Sequence, residues 1–213
     1  MSNLDTYLLG AGDHGHVLLD ALSLSHTIVR GVVDPACDAG SLVSGISVID
    51  EQSLLALDRS RVLLVNGVGG RNSVSQRSEV FRRYTSLGFR FRGVVHPSAI
   101  VARDCVIDAT AQIMAGVVVQ PRVQVGANTV INTSVIIEHD CVLRTSCFVG
   151  PRSVLSGRVQ IDVEAFVGAG VTVLPGVKIG ACSVVGAGSV VTRDVMAGHT
   201  VTGNPARSSN PPS

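Results

Sequence analysis

From Val101 onward, every sixth residue of this chain is aliphatic. The series Val101, Ile107, Ile113, Val119, Val125, Ile131, Ile137, Leu143, Val149, Leu155, Ile161, Val167, Val173, Ile179, Val185, Val191 runs to sixteen members without an exception. Four residues after each stands a small or β-branched side chain, from Cys105 and Ala111 through to Ser189 and Val195. A period of six matches neither the 3.6-residue helix nor the spacing of about 8 to 12 residues seen in hairpins, and it marks a coiled parallel β-solenoid. Each hexad reads as one short flat face whose aliphatic residue points in and whose small residue turns the corner. Three hexads then close a triangular coil, and sixteen make five and a third coils.

Composition agrees with a narrow interior that admits Val and Ile but few rings, since only 3% of residues are aromatic and 23 are glycine. Three of the five cysteines (Cys105, Cys141, Cys147) fall in the small corner class, so they read as apolar fillers of a reduced protein and not as a disulfide frame or a zinc site. Seventeen Lys and Arg stand against sixteen Asp and Glu with no basic run, which argues against nucleic acid and anionic membranes as partners. No apolar run approaches the roughly 20 residues of a membrane span, and Met-Ser-Asn-Leu-Asp is no signal peptide. A cytoplasmic protein without membrane insertion is therefore expected.

Ahead of the hexads, residues 1–95 read as a small α/β unit, a Rossmann-like half domain. Strand 6–9 runs into Gly10-Ala11-Gly12-Asp13-His14-Gly15 and an amphipathic helix over 16–24. Strand, glycine turn and helix N-terminus form a cradle for a phosphate, or else a tight turn that binds nothing. A second strand, 28–33, ends at Asp34-Pro35, about 20 residues beyond the glycines, where a dinucleotide fold holds a ribose hydroxyl. Strand 46–49, helix 51–57 and strand 62–65 continue the alternation, and Asn66-Gly67-Val68-Gly69-Gly70 makes a second glycine loop at a strand's C-terminal end. Helix 73–87 follows, with Arg71 and Arg77 near its start, and 89–95 is read as the last strand. Half of a dinucleotide fold holds one nucleotide better than two. The solenoid is assigned to 96–203 and a polar tail to 204–213, with His96-Pro97 at the joint.

Most outward solenoid positions are solvated surface. Asn132-Thr133 and Glu138-His139-Asp140 depart from that pattern, because a histidine flanked by two carboxylates stands on one turn. It is either a surface histidine or an imidazole whose tautomer a carboxylate fixes, as a general base requires.

Gly10 to Gly15, Asp34, Asn66 to Gly70 with Arg77, His96-Pro97-Ser98-Ala99, Asn132-Thr133, Glu138-His139-Asp140-Cys141 and Gly203-Asn204-Pro205-Ala206-Arg207 together resemble the sugar O-acyltransferase family of the NeuD, PglD and PerB type. The resemblance implies a left-handed β-helix carrying a small nucleotide-sugar domain. It also implies a homotrimer with acetyl-CoA in the groove between two solenoids. The activity it implies is N-acetylation of the 4-amino group of a nucleotide-linked 4-amino-4,6-dideoxy sugar, in surface-glycan precursor synthesis. It carries the role of base onto His139, with Asp140 or Glu138 orienting the ring and Asn132 close to the reacting centre. Gly12, Asp13, His14, Asp34, Pro35, Asn66, Gly67, Arg77 and Glu138 are then expected at the nucleotide sugar. Phe148, Ala169, Gly170, Ala187, Arg193, Asn204 and Pro205 are expected at CoA. No metal is implied.

One position departs from the family: many relatives have a second histidine where this chain has Phe148, an outward residue without an evident core role. A hydroxyl acceptor, as in sialic-acid O-acetylation, and a non-catalytic nucleotide-sugar-binding homologue stay open beside the amine. A zinc-dependent carbonic anhydrase on the same coil needs three histidines, and the hexads contain only His139.

Overall fold

A computed structural model describes residues 4–70 and 73–209, so Arg71 and the last four residues of the tail lie outside the described residues. The N-terminal unit is a four-stranded parallel sheet. Its strands are β1 (Asp5–Leu9), β2 (Val29–Val33), β5 (Val62–Asn66) and β6 (Arg90–Phe91), in the order β2-β1-β5-β6. Helices α1 (Asp13–Leu24), α2 (Glu51–Leu55) and α3 (Ser75–Ser86) connect them. Leu8, Leu18, Leu22, Leu54 and Leu64 are fully buried or nearly so, as the apolar stripes of α1, α2 and the central strands require. Asp50 caps α2 by accepting from Ser53 N at 2.7 Å. The order reverses between β1 and β5, so both glycine loops open at the switch point where ligands of such sheets bind.

Two strand expectations are corrected. Ile46–Ser47 is not a further strand of the main sheet; it pairs antiparallel with Leu42–Val43 as a hairpin, β3 and β4, tied to β2 by a single bridge, Val32 to Val48. Nor is 89–95 one strand. Arg90–Phe91 ends the N-terminal sheet, whereas β7 (Val94–Val95) pairs with Gln112–Ile113 and is the first rung of the solenoid.

The solenoid is a left-handed parallel β-helix with three sheets of eight, six and five strands. Two-residue rungs pair with those eighteen residues on, as in Val118 to Ile136 to Val154, until the last coil, where Val184 pairs with Thr200, sixteen residues on. The aliphatic series does point inward: Ile113, Ile131, Ile137, Val149, Leu155, Ile161, Val167, Val173, Ile179 and Val185 are all 0% exposed. Each such side chain is worth roughly 1.5–3 kcal/mol of burial.

The small residues, however, do not turn the corners. Val117, Val123, Val135, Cys141, Cys147, Val159, Ala165 and Val171 are also 0% exposed and form a second inward row. Turning falls to the residue just before them, which has positive φ at every hexad from Gly116 to Gly188, non-glycine members such as Arg122, Asn128, Asp140, Arg152 and Arg158 included. The inward row must be small because it sits where two faces converge. Its polar members bond backbone of the following coil, as Thr129 Oγ1 to Arg144 O at 2.8 Å, Ser153 Oγ to Gly168 O at 2.9 Å and Cys147 Sγ to Asp162 O at 3.1 Å. Burial pushes the Cys141 thiol up to about 11 and that of Cys147 to about 12, which keeps both protonated and inert. Among the described residues no helix is long and apolar enough to cross a membrane.

Candidate active site

The two glycine loops meet at the ends of β1 and β5, where Gly67 N donates to Leu9 O at 2.7 Å. Three glycines serve three ends. Gly10 takes φ +98, a Cβ on Gly15 would overlap the Gly10 carbonyl oxygen, and Gly12 faces open space. Gly12 precedes α1 without a side-chain cap, which leaves first-turn N–H groups for an anion. Asp34 braces this loop: Oδ2 accepts from Ala11 N at 2.6 Å and Oδ1 from Ala36 N at 2.8 Å. A cleft of about 690 Å³ results, lined by Gly10, Gly12, Asp13, His14, Asp34 and Gly67 from the N-terminal domain and by Asn132 and Phe148 from the β-helix. Pro35 lies in an adjoining hollow of about 420 Å³, which shares Gly10, Asp34, Val68 and Gln76 with the cleft.

Two residues expected at the nucleotide sugar are buried elsewhere. Arg77 is 0% and Asn66 2% exposed, and neither lines the cleft. The Arg77 guanidinium donates from Nη1 to Asn66 O at 2.9 Å and Val68 O at 2.8 Å, and from Nε to Asn128 O at 3.2 Å. Asn66 Nδ2 donates to Arg77 O and to Asn128 Oδ1, both at 3.0 Å. These side chains fasten the second glycine loop to the β-helix, a tertiary role that a glycine-loop motif does not reveal. Burial brings the Arg77 pKa down to about 9, so it stays charged at neutral pH, compensated by carbonyl dipoles. His14 completes the seam, its Nε2 2.8 Å from Gln112 Oε1. Burial first, and then the Arg77 charge, lower its pKa to about 4, so the ring that faces the cleft is neutral.

Phe148 also has its explanation here. It stacks on Phe166 with centroids 5.1 Å apart and planes at 8°, in a cluster with Val74, Val130 and Val184. A Cβ on Gly70 would come within 3.1 Å of both rings. The outward row of the eight-stranded face is thus a core, covered by the N-terminal domain. Phe148, expected among CoA contacts, belongs to this domain seam and to the cleft.

His139 stands one corner beyond Asn132, on the coil before that of Phe148. Its Nδ1 is 2.6 Å from Asp140 Oδ2, and Asp140 in turn receives Arg122 Nε on Oδ1 at 2.6 Å and Nη2 on Oδ2 at 3.0 Å. Arg122 and then His139 hold the Asp140 carboxyl well below the usual carboxylate range. An ionised Asp140 can only accept, so Nδ1 is the donor to it, and in the neutral ring Nε2 is the nitrogen with the lone pair. The orienting carboxylate is Asp140's; Glu138 is not among the ring's hydrogen-bond partners. On the following coil, a Cβ at Gly157 would lie 2.8 Å from His139 Cε1 and Nε2, so glycine there makes room for the ring. Neither Arg122 nor Gly157 was singled out by motif. Each lies one coil of eighteen from its partner, Arg122 from Asp140 and Gly157 from His139, and that spacing is the signal that finds them.

His139 does not line the cleft of its own chain. Asn132, with Ala169, Gly170 and Ala187 of later coils, borders the edge between the eight- and six-stranded faces, whereas His139, Gly157 and Arg193 border the edge between the six- and five-stranded faces. Asn132 Oδ1 accepts from Thr133 N at 2.7 Å, which leaves its Nδ2 to offer a ligand. Asn204 and Pro205 are exposed beyond the last coil. Among the described residues no cluster of His, Cys, Asp and Glu could hold a metal ion.

Residues 164–193 match the bacterial transferase hexapeptide (six repeats) family. Over 97% of both chains, with a TM-score of 0.89 and 31% identity, the protein is similar to a histidine-to-alanine mutant of GDP-perosamine N-acetyltransferase from Caulobacter crescentus, in complex with CoA and GDP-perosamine. It is similar as well to the acetyltransferase domain of PglB from Neisseria gonorrhoeae in complex with acetyl coenzyme A, at 28% identity and a TM-score of 0.88 over 97% of this chain and 99% of that one. Putative acetyltransferase YvoF of Bacillus subtilis is 53% identical over 51 residues, which span 24% of this chain and 30% of that protein.

Proposed function

The chain belongs to the hexapeptide-repeat sugar acyltransferases of the NeuD, PglD and PerB type, and on that premise we propose that it carries acetyl from acetyl-CoA to the 4-amino group of a nucleotide-linked 4-amino-4,6-dideoxy sugar. The observation that carries this reading is the His139–Asp140 pair, whose Nδ1–Oδ2 contact of 2.6 Å leaves Nε2 of the neutral ring to accept a proton at an open corner of the coil. The neutral amine attacks the thioester carbonyl and its proton passes to Nε2; the intermediate then collapses, the C–S bond breaks, and the CoA thiolate recovers the proton from His139. Holding both substrates together supplies much of the remaining rate. The neutral His14, Asp34, Gly12 and the Gly67 loop would receive the nucleotide diphosphate sugar, and Asn132 would meet its sugar end.

The proposal includes a homotrimer. Asn132 and His139 stand on different edges of one coil, so a substrate rooted in the cleft of one copy meets the His139 edge of a neighbour if six-stranded faces adjoin. That face presents an outward column, Ile100, Val118, Ile136, Val154, Thr172 and Val190, apolar but for Thr172, in which Ile100 is 66% and Ile136 37% exposed. CoA would then lie between Ala169, Gly170 and Ala187 of one copy and Arg193 of the next. The reaction is assigned to the cytoplasm, where nucleotide sugars and acetyl-CoA are both at hand.

The test combines thermal shifts with GDP-, UDP-, CMP- and dTDP-linked 4-amino sugars and a thiol-release assay with acetyl-CoA. One nucleotide series should stabilise the protein and turn over, and His139→Ala should abolish turnover while keeping the shift. Binding of no nucleotide sugar, or full turnover by His139→Ala, would overturn the reading.

A further inference from the structure

Asp140 is a poor anchor when taken alone. Its side chain is 33% exposed, and a single contact between an exposed carboxylate and an imidazole is worth little in water. Arg122 changes that. It occupies the same corner one coil earlier, with φ 61 against 62 for Asp140, so the coil repeat itself lays the guanidinium beside the carboxylate. The contact is two-pronged, Nε to Oδ1 at 2.6 Å and Nη2 to Oδ2 at 3.0 Å, and a planar fork of this kind fixes a carboxylate in rotation as well as in position. Arg122 is itself held by its backbone, which donates to Asp104 Oδ1 at 3.3 Å one further coil back.

We propose that Arg122 is a positioning residue for acetyl transfer: its bidentate grip sets the Asp140 carboxylate so that Oδ2 holds the His139 ring with Nε2 free. This rests on the reading of His139 as the base. Two features separate the role from an ordinary surface ion pair. Asp140 Oδ2 is shared between Arg122 Nη2 and His139 Nδ1, so freeing the carboxylate to rotate moves the acceptor of the imidazole proton. The Arg122 side chain is also 61% exposed, so it covers no core whose loss could mimic the effect. The other groups around the ring are Glu138 beside it, and Gly157 and Arg158 on the following coil, where Arg158 N donates to His139 O at 2.9 Å.

The test reads the ring directly and needs no substrate. In full-length protein labelled with 15N-histidine, and with His139 assigned by comparison with His139→Ala, long-range proton–nitrogen spectra report which ring nitrogen carries the proton. Wild type should show the Nδ1-protonated form. Arg122→Ala should show mixed tautomers with an unchanged melting temperature, and Arg122→Lys, which restores the charge but not the fork, should recover only part of the wild-type signal. Under the same reading kcat falls about 10- to 100-fold with little change in either KM, and adding Arg122→Ala to Asp140→Asn causes no further loss. An Arg122→Ala protein whose tautomer matches wild type would overturn the proposal. If His139→Ala turns over normally, the base assignment falls, while the tautomer comparison still decides whether Arg122 orients the ring.

Discussion

At the scale of single residues, chemistry is concentrated where a side chain has lost its freedom. His139 is held by Asp140 along its own turn and is given its place by the missing Cβ of Gly157 on the next. Gly157→Ala should therefore displace the ring and lower kcat about 10- to 100-fold while leaving the melting temperature nearly unchanged, which thiol release and a thermal melt measure side by side. His14 gives a pH signature. Its folded pKa of about 4 lies below the ordinary histidine value, so between that pH and about 6.5 the unfolded chain holds a proton the folded chain does not, and stability falls as pH is lowered. Melts from pH 7 to pH 4 should show a steeper decline for wild type than for His14→Gln. Equal slopes would mean that His14 protonates without opposing the fold.

At the scale of elements, the hexads were readable because their period is local: an inward aliphatic residue needs only its own rung to be recognised. The corner was misread for a related reason. Small size at Val117 or Ser153 looks like a turn requirement, yet it reflects crowding inside a converging angle, and the true turn residue is free to be Arg, Asn, Asp or Glu. That freedom has an energetic cost, since an L-residue in the left-handed region is disfavoured by roughly 1–2 kcal/mol. Arg152, exposed at φ 60, is the place to test it. Arg152→Gly relieves that cost and adds glycine's own entropic cost of roughly 0.5–1 kcal/mol, so stability should rise by about 0.5–1 kcal/mol in urea titration, and destabilisation would show that the turn does not strain its residue. The N-terminal helices were readable from their apolar stripes. The roles of Asn66 and Arg77 were not, because what faces them, Asn128, arrives from a different part of the chain.

At the scale of the whole molecule, Asn132 and His139 stand on different edges of one coil, joined in the proposed assembly by the apolar column of the six-stranded face. Ile136→Arg should yield monomers by light scattering, with thiol release lost and the nucleotide-sugar thermal shift kept, because the cleft belongs to one chain. A monomer that turns over normally would remove the neighbour from the mechanism. Phe148 shows why this scale was hidden in the sequence: an outward ring on a β-helix has no purpose until the second body is laid over it.

That overlay also limits how the two bodies can be exchanged. Met114 and Val94 of the β-helix are buried in the same cluster as Leu8, Leu18 and Leu22, and Gln112 and Asn128 hydrogen-bond into the seam. An N-terminal domain grafted onto another β-helix would arrive without its floor, so under the proposed function new sugar specificity is to be sought by changing the lining of the cleft and not by transplanting the domain.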